Sequence, residues 1–269
     1  MKISVIIPTY KPQGYLWECL DSMAAQTLSK DEYEVIIVLN GCCSPWKDAI
    51  EDYIKTKMKG FYIKFIQTDM PGVSNARNIA LDKVEGKYVT FIDDDDYVSP
   101  VFLERLLSKM KGDVNVVLSN AVAFNDNDPS TPIPYSLSKI YNKYSAKHRV
   151  KLTSGASKFF SGPCMKLIPM EVIQDKRFDV RFKNGEDSLF MLLISDRVAS
   201  VTFADNDAIY YRRYRDASAI TQKGNIVSRM ANSFRLIKEY ILIYVKYDID
   251  FVFFATRILG TLKAVFVTH

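Results

Sequence analysis

The chain has 269 residues, enough for one large domain or two small ones and for a sizeable core. With 48% hydrophobic and 25% charged residues it has the balance of a globular protein, which excludes wholesale disorder. A net charge of +5 is too mild to indicate nucleic acid, and no such partner is expected; nearly all the excess follows Lys223, where seven Lys/Arg face three Asp/Glu.

Ile3-Ser4-Val5-Ile6-Ile7, stopped by Pro8, is expected to be a strand buried on both faces. Leu16, Leu20 and Met23 recur at helical spacing, and Tyr33 to Leu39 is a second buried strand. Pro45 opens a helix with Trp46, Ile50, Tyr53, Ile54 and Met58 on one face. Phe61, Ile63 and Phe65 suggest a third strand, Val73 to Lys83 a helix, and Tyr88 to Ile92 a fourth strand. Ser99 is placed to cap the next helix with Pro100 at its first position, and Asn115 to Ala123 reads as one more strand. This alternation implies an α/β fold with right-handed crossovers, in which ligands bind beyond the carboxyl ends of the strands.

After Phe124 the pattern degrades. Asn125-Asp126-Asn127-Asp128-Pro129, with Pro132 and Pro134, predicts long irregular loops. Regularity returns with a helix from Glu186 to Asp196 and one or two strands between Val198 and Tyr211. The tail from Ile226 to His269 carries a helical stripe of Phe234, Ile237, Ile241 and Val245. Phe251, Phe254, Ile258 and Leu262 continue it after a break at Asp248-Ile249-Asp250. Two readings stand side by side: a helix pair packed on the domain's own surface, or a basic amphipathic segment on an anionic membrane.

Cys19, Cys42, Cys43 and Cys164 show no CxxC spacing, which disfavours a zinc site and a disulfide framework and suggests a reducing compartment. No uncharged apolar stretch approaches the roughly 18 residues of a membrane span, and the N-terminus enters a strand at once. A cytoplasmic location is expected, with the inner face of the plasma membrane open through the tail.

The four consecutive aspartates Asp93 to Asp96 close the apolar run Tyr88 to Ile92. Carboxylates side by side at the end of a buried strand repel one another and call for positive charge; divalent cations that prefer hard oxygen ligands are one source. A solvated acidic turn is the plain alternative. Pro8-Thr9-Tyr10 ends the first strand at the ligand edge, where Thr9 and Tyr10 can offer backbone groups and a ring to a nucleobase. Arg77 carries a fork suited to phosphate oxygens, or to a surface ion pair. Glu186-Asp187 lies at a helix start, where two carboxylates complement the dipole or can serve proton transfer.

Taken in order, these segments resemble an inverting family 2 glycosyltransferase of the GT-A fold. Val5-Ile6-Ile7-Pro8-Thr9-Tyr10 resembles its opening strand, and Gly72-Val73-Ser74-Asn75-Ala76-Arg77-Asn78 its G-x-S-x-A-R-N segment. Phe91-Ile92-Asp93-Asp94-Asp95-Asp96 resembles the F-L-D-x-D-D strand end, and Gly185-Glu186-Asp187 the later E-D pair. Tyr210-Tyr211-Arg212-Arg213 with Ser218 is similar to a Y-x-R…S segment.

The resemblance covers about residues 1–222. It implies a GT-A domain there, with a nucleotide-sugar part (1–123), an acceptor part (124–222), and a helical, basic amphipathic extension (223–269). It implies Mn²⁺ or Mg²⁺ bridging two phosphates, with Asp95 as ligand and Asp93 on the donor ribose or a ligated water. Asp94 takes the variable middle position, and Asp96 the sugar or the next helix. Asp187 becomes the general base, a group whose reference pKa of ~3.9 keeps it ionised at neutral pH. Lys166 and Arg213 fall near basic positions of the family, facing phosphate or acceptor charge, or else the surface.

The partners implied are a nucleotide-sugar donor and a saccharide or lipid-linked acceptor. One departure stands out. The family's acidic turn after the second strand reads Val38-Leu39-Asn40-Gly41 here, so Asn40 takes the place of a carboxylate at the nucleobase and leaves the usual uridine open. A nucleotidyltransferase, a glycoside hydrolase and a non-catalytic sugar-nucleotide binder are the competing classes. The first would want a Gly-rich basic loop where Pro8-Thr9-Tyr10-Lys11-Pro12 stands, and the second needs neither metal nor nucleotide.

Overall fold

The computed structural model describes residues 1–111, 115–147, 149–153, 155–198, 200–215 and 226–266. A seven-stranded sheet forms the centre, in the order β10 (Ser200–Phe203), β6 (Asn115–Leu118), β9 (Lys166–Pro169), β4 (Tyr88–Phe91), β1 (Ile3–Thr9), β2 (Tyr33–Asn40), β3 (Tyr62–Thr68). β1 (Ile3–Thr9) and β2 (Tyr33–Asn40) are buried at every position, the environment their aliphatic runs demand. β3 (Tyr62–Thr68) and β4 (Tyr88–Phe91) flank them, and β1 to β4 are mutually parallel. The helices α1 (Gly14–Ala24), α2 (Trp46–Lys57) and α3 (Val73–Leu81) are the crossovers, as expected from the periodicity.

The order β4-β1-β2-β3 means that the chain leaves β1 in one direction and later returns on its other side. The crevice between the ends of β1 and β4 is therefore a switch point, where a doubly wound sheet binds its ligand. Pro8 does not stop β1; it pairs in register with Val38. Ile6 turns its carbonyl to the Ile92 N–H, so Pro8, two residues on, faces the same side. There β4 has already ended, and the missing donor costs no ladder bond.

Beyond Phe91 the Asp run crosses to β5 (Tyr97–Val98), in a second sheet ordered β5-β11-β7-β8. Ser99 does not cap α4 (Phe102–Lys109). Its hydroxyl donates to the Asp207 carbonyl and accepts from the Ile209 N–H, tying β5 to β11 (Ile209–Tyr214).

The expected strand from Asn115 to Ala123 is two. β6 (Asn115–Leu118) belongs to the central sheet and β7 (Asn120–Asn125) to the second. The expected loop after Phe124 contains β8 (Asp128–Ile133), an exposed edge strand on β7 whose prolines interrupt no further ladder. Then follow α5 (Ser136–Tyr144), β9 (Lys166–Pro169), α6 (Met170–Ile173), α7 (Glu186–Leu193) and β10 (Ser200–Phe203). β9 is antiparallel to both β4 and β6, so the central sheet is mostly parallel, as predicted.

The tail forms α8 (Ile226–Lys246) and α9 (Phe251–Phe266), broken where Asp248-Ile249-Asp250 predicts. Asp250 accepts the Phe253 N–H and caps α9. Both helices pack on the domain. Leu236 and Tyr240 are buried against the start of α7, and the buried Arg257 donates to the Phe160 and Ser157 carbonyls. Among the described residues no helix is long and apolar enough to cross a membrane.

Gly185 sits at φ +88°, and a Cβ there would lie 2.4 Å from Leu236 Cδ1. Gly185→Ala therefore meets both backbone strain and α8. It is expected to lower stability by about 1–3 kcal/mol, read as an earlier denaturation midpoint.

Candidate active site

The turn Asp93–Asp96 lies at the switch point, between the two sheets. Its carboxylates have different partners, apart from Arg212, which donates to both Asp93 and, at 3.3 Å, Asp96. Asp93 accepts from Arg77 (3.0 Å) and Arg212 (2.9 Å). Asp94 turns toward β1 and accepts from the Thr9 hydroxyl at 2.5 Å. Asp95 accepts two bonds from Arg215, at 2.9 and 2.6 Å. Asp96 is 1% exposed and is held by the Tyr210 hydroxyl (2.8 Å) and the Arg213 N–H (2.8 Å). Asp96 thus anchors the turn to β11.

These environments set the charge states. Burial opposes ionisation of Asp93, yet Arg77 and Arg212 outweigh it and hold its carboxyl below the usual range. Burial pushes Asp94 up to about 7, the Thr9 bond opposes this, and Asp95 and Asp93 add to it. Burial raises Asp96 well above an ordinary carboxylate, against Arg212.

Arg77 ties this turn to the second acidic pair. It projects from α3, is only 3% exposed, and donates to Asp93 and, at 2.6 Å, to Asp187 Oδ1. Its guanidinium lies 5.3 Å from the Phe178 ring centre, and Phe178 stacks on Phe190 at 3.8 Å. The fork expected to meet phosphate, or a surface ion pair, thus spans two carboxylates in the interior. Asp187 opens α7, as expected, and burial raises its carboxyl against the pull of Arg77. Glu186 beside it is buried, and desolvation followed by the Asp187 charge pushes it up to about 7. A Cβ on Gly162 would lie 3.7 Å from Asp187 Oδ2, so backbone alone flanks that oxygen there.

The remaining predicted residues divide. Pro8 and Thr9 end β1 beside the turn, and Tyr10 stands half exposed at the crevice rim. Asn40 is buried with both ends of its amide engaged, donating to the Thr9 carbonyl (2.7 Å) and accepting the Gly72 N–H (2.8 Å). It clamps β1 to the loop before α3. Gly41 follows it at φ +67°, where a Cβ would come within 2.6 Å of Pro71.

Neither Lys166 nor Arg213 is a surface residue. The Lys166 ammonium is fully buried and donates to the Gly162 and Cys164 carbonyls at 2.5 Å, and burial pushes it down to about 7. Arg213 donates to the Asp95 carbonyl, Asp126 and Glu18. Ser218, His148 and His269 lie outside the described residues.

The sequence reading gave no role to Tyr210, Arg212, Arg215 or Cys164. The Cys164 thiol is buried against Asp93; burial first, then the Asp93 charge, pushes it well up. A usable signal existed for the arginines: Arg212, Arg213 and Arg215 cluster just where an acidic quartet needs partners.

Asp93, Asp95 and Asp96 bring one carboxylate oxygen each within 4.8 Å of one another. All are hard oxygen donors, and a carboxylate oxygen bonded once to arginine keeps a second lone pair. The set therefore fits Mg²⁺ or Mn²⁺.

The profile of glycosyl transferase family 2 matches residues 4–175, well over half of the chain. The chain belongs to this family. Among its relatives, glycosyltransferase GlyA of Streptococcus pneumoniae is 27% identical over 226 residues, covering 81% of this chain and 31% of GlyA. The poly(ribitol-phosphate) beta-N-acetylglucosaminyltransferase TarS of Staphylococcus aureus is 28% identical over 228 residues, covering 80% and 36%. The chain thus spans about a third of the length of these relatives.

The crystal structure of TarS 1–349 with UDP-GlcNAc superposes with a TM-score of 0.76 at 23% identity, covering 97% of this chain and 72% of that one. A mannosyltransferase of Pyrobaculum calidifontis, in complex with GDP-Man and Mn²⁺, reaches 0.65 at 16%, covering 98% and 69%. This family 2 chain accordingly has the GT-A fold, with a helical extension after it.

Proposed function

We propose that this chain moves a sugar from a nucleoside-diphosphate donor, a UDP-sugar, to a hydroxyl of a saccharide or lipid-linked acceptor, with inversion, in glycan or surface-polysaccharide synthesis. The observation that carries the reading is the pair of acidic centres, Asp93–Asp96 and Asp187, joined through one buried guanidinium at the switch point. The printed names of GlyA and TarS, and the nucleotide-sugars in the two similar structures, support it.

In this reading residues 1–123 take the donor and 124–222 the acceptor. Tyr10 at the rim and Thr9 behind it border the nucleoside. Asp95 and Asp93 would hold Mg²⁺ or Mn²⁺, which when bound offsets the charge on the departing diphosphate. Asp94 and Asp96 keep the turn in shape through Thr9 and Tyr210. Asp187 takes the proton from the attacking hydroxyl through Oδ2, while Oδ1 stays on Arg77.

Arg77 thereby fixes the distance between leaving group and base, and its donor contact is indirect. Attack from the face opposite the diphosphate inverts the anomeric centre. The four free thiols, Cys19, Cys42, Cys43 and Cys164, suit a reducing, cytoplasmic setting.

A donor screen reporting nucleoside-diphosphate release, with mixed saccharide acceptors and Mn²⁺, tests the proposal. Release from one nucleotide-sugar that requires acceptor is the expected result. Release of monosaccharide with no nucleotide requirement would replace it with a hydrolase.

A further inference from the structure

The helix α8 is apolar on two opposite faces, and only one of them is covered. Leu236 and Tyr240 point into the domain. Half a turn away, Met230, Phe234, Ile241 and Val245 form a stripe that stays exposed among the described residues. Phe234 is 65% and Val245 79% exposed. On α9, Val252, Leu259 and Leu262 continue the outward surface at helical spacing, with Leu259 65% exposed. Well over half of the large hydrophobic side chains exposed among the described residues lie on these two helices. A patch of this kind marks an interaction surface.

The charges around it select the occupant. Lys238 stands within the α8 stripe and Lys263 beside that of α9, and both are exposed. The acids of the pair lie elsewhere. Glu239 turns inward to Arg181 at 3.1 Å, Asp250 caps α9, and Asp248 lies in the connecting turn. A second copy would offer Lys238 no acidic partner on the same stripe. An anionic lipid surface takes both apolar side chains and cations, and since neither helix can span a bilayer, the contact is peripheral.

We propose that the outer face of α8 and α9 is a docking surface for an anionic lipid bilayer, with Phe234, Ile241, Val245 and Leu259 as insertion points and Lys238 and Lys263 as headgroup contacts. This deepens the transferase reading by giving the enzyme a working surface. Leu236 packs at Gly185, and Tyr240 donates to Ser188 at 3.1 Å. A bilayer on the outer face of α8 therefore lies one helix diameter, about 10 Å, from the helix that carries Asp187.

Flotation of the full chain with phosphatidylglycerol-containing and pure phosphatidylcholine vesicles tests this. Partition is expected to the anionic vesicles alone and to fall as salt rises. The exposed substitutions Phe234→Asp with Val245→Asp are expected to cut it at least about tenfold, because each removes an apolar side chain from the lipid. Their circular dichroism and nucleotide affinity should stay as in the parent. Nucleotide binding is read on the same samples, so loss of docking and loss of the transferase reading are separate outcomes. Equal partition of parent and variant, or no partition to anionic vesicles, overturns the proposal. A dimer of the parent that Phe234→Asp dissolves would assign the face to a second copy instead.

Discussion

Asp187→Asn is expected to lower kcat by roughly 10²–10⁴-fold while changing nucleotide affinity little, because positioned general bases contribute on that scale. The amide keeps the shape of the side chain and one oxygen for Arg77, so the fold and the acidic turn persist; what it cannot do is accept the acceptor's proton. The pH dependence follows from the same group. A general base works deprotonated, and burial raises the Asp187 carboxyl despite Arg77. Turnover should fall as pH drops through that raised value, with an acid limb above the ordinary carboxylate range, and Asp187→Asn should remove the limb along with the activity. Steady-state rates against pH, beside nucleotide titrations of both proteins, check this. A variant that binds nucleotide and turns over at the parental rate would remove Asp187 from the mechanism.

Arg77→Met is expected to be the most damaging single change to the structure. It leaves Asp93 and Asp187 with a lost cation between them, in an interior where Arg77 itself is 3% exposed. Breaking a fully buried pair by removing one partner costs about 3–5 kcal/mol; here Asp93 is 25% and Asp187 34% exposed, and Asp93 keeps Arg212, so a loss of about 2–4 kcal/mol is expected. For a chain of this size that lowers Tm by roughly 4–12 °C. Arg77→Lys should recover part of the stability and little of the turnover, since a single ammonium cannot present two parallel donors to two carboxylates. Thermal melts and kcat of the two variants separate these effects. If Lys restored turnover fully, charge alone would suffice and the bridge geometry would be irrelevant.

The parallel core was legible because its signal is local: β1 and β2 carry the aliphatic runs Val5-Ile6-Ile7 and Val35 to Leu39, and burial on both faces asks for that. The Asp run and Glu186-Asp187 were legible because like charges beside apolar runs need explaining. What was lost depends on contacts far along the chain. The run from Asn115 to Ala123 carries no internal sign of a break; its division is set at Ser119, whose N–H and hydroxyl both donate to the Met165 carbonyl. Only its match to the family's acidic turn places Asn40 at a nucleobase, and in the fold Thr9 and Gly72 take up its amide. The fork of Arg77 suits phosphate or a surface ion pair, and only the fold reveals that Asp187, 110 residues later, meets it. The tail offered two readings, domain packing or a membrane surface; Leu236 and Tyr240 show the packing, and the outward contact is the proposal made above.

Calorimetric titration of the chain with UDP and GDP, in Mn²⁺ and again in chelator, tests most directly whether the acidic turn holds a cation that carries a nucleotide. The account predicts binding of a nucleoside diphosphate in Mn²⁺ that weakens at least about tenfold in chelator and likewise in Asp95→Asn, as loss of a metal-bridged contact should. Affinity indifferent to both, or no binding of either nucleotide in Mn²⁺, would contradict it.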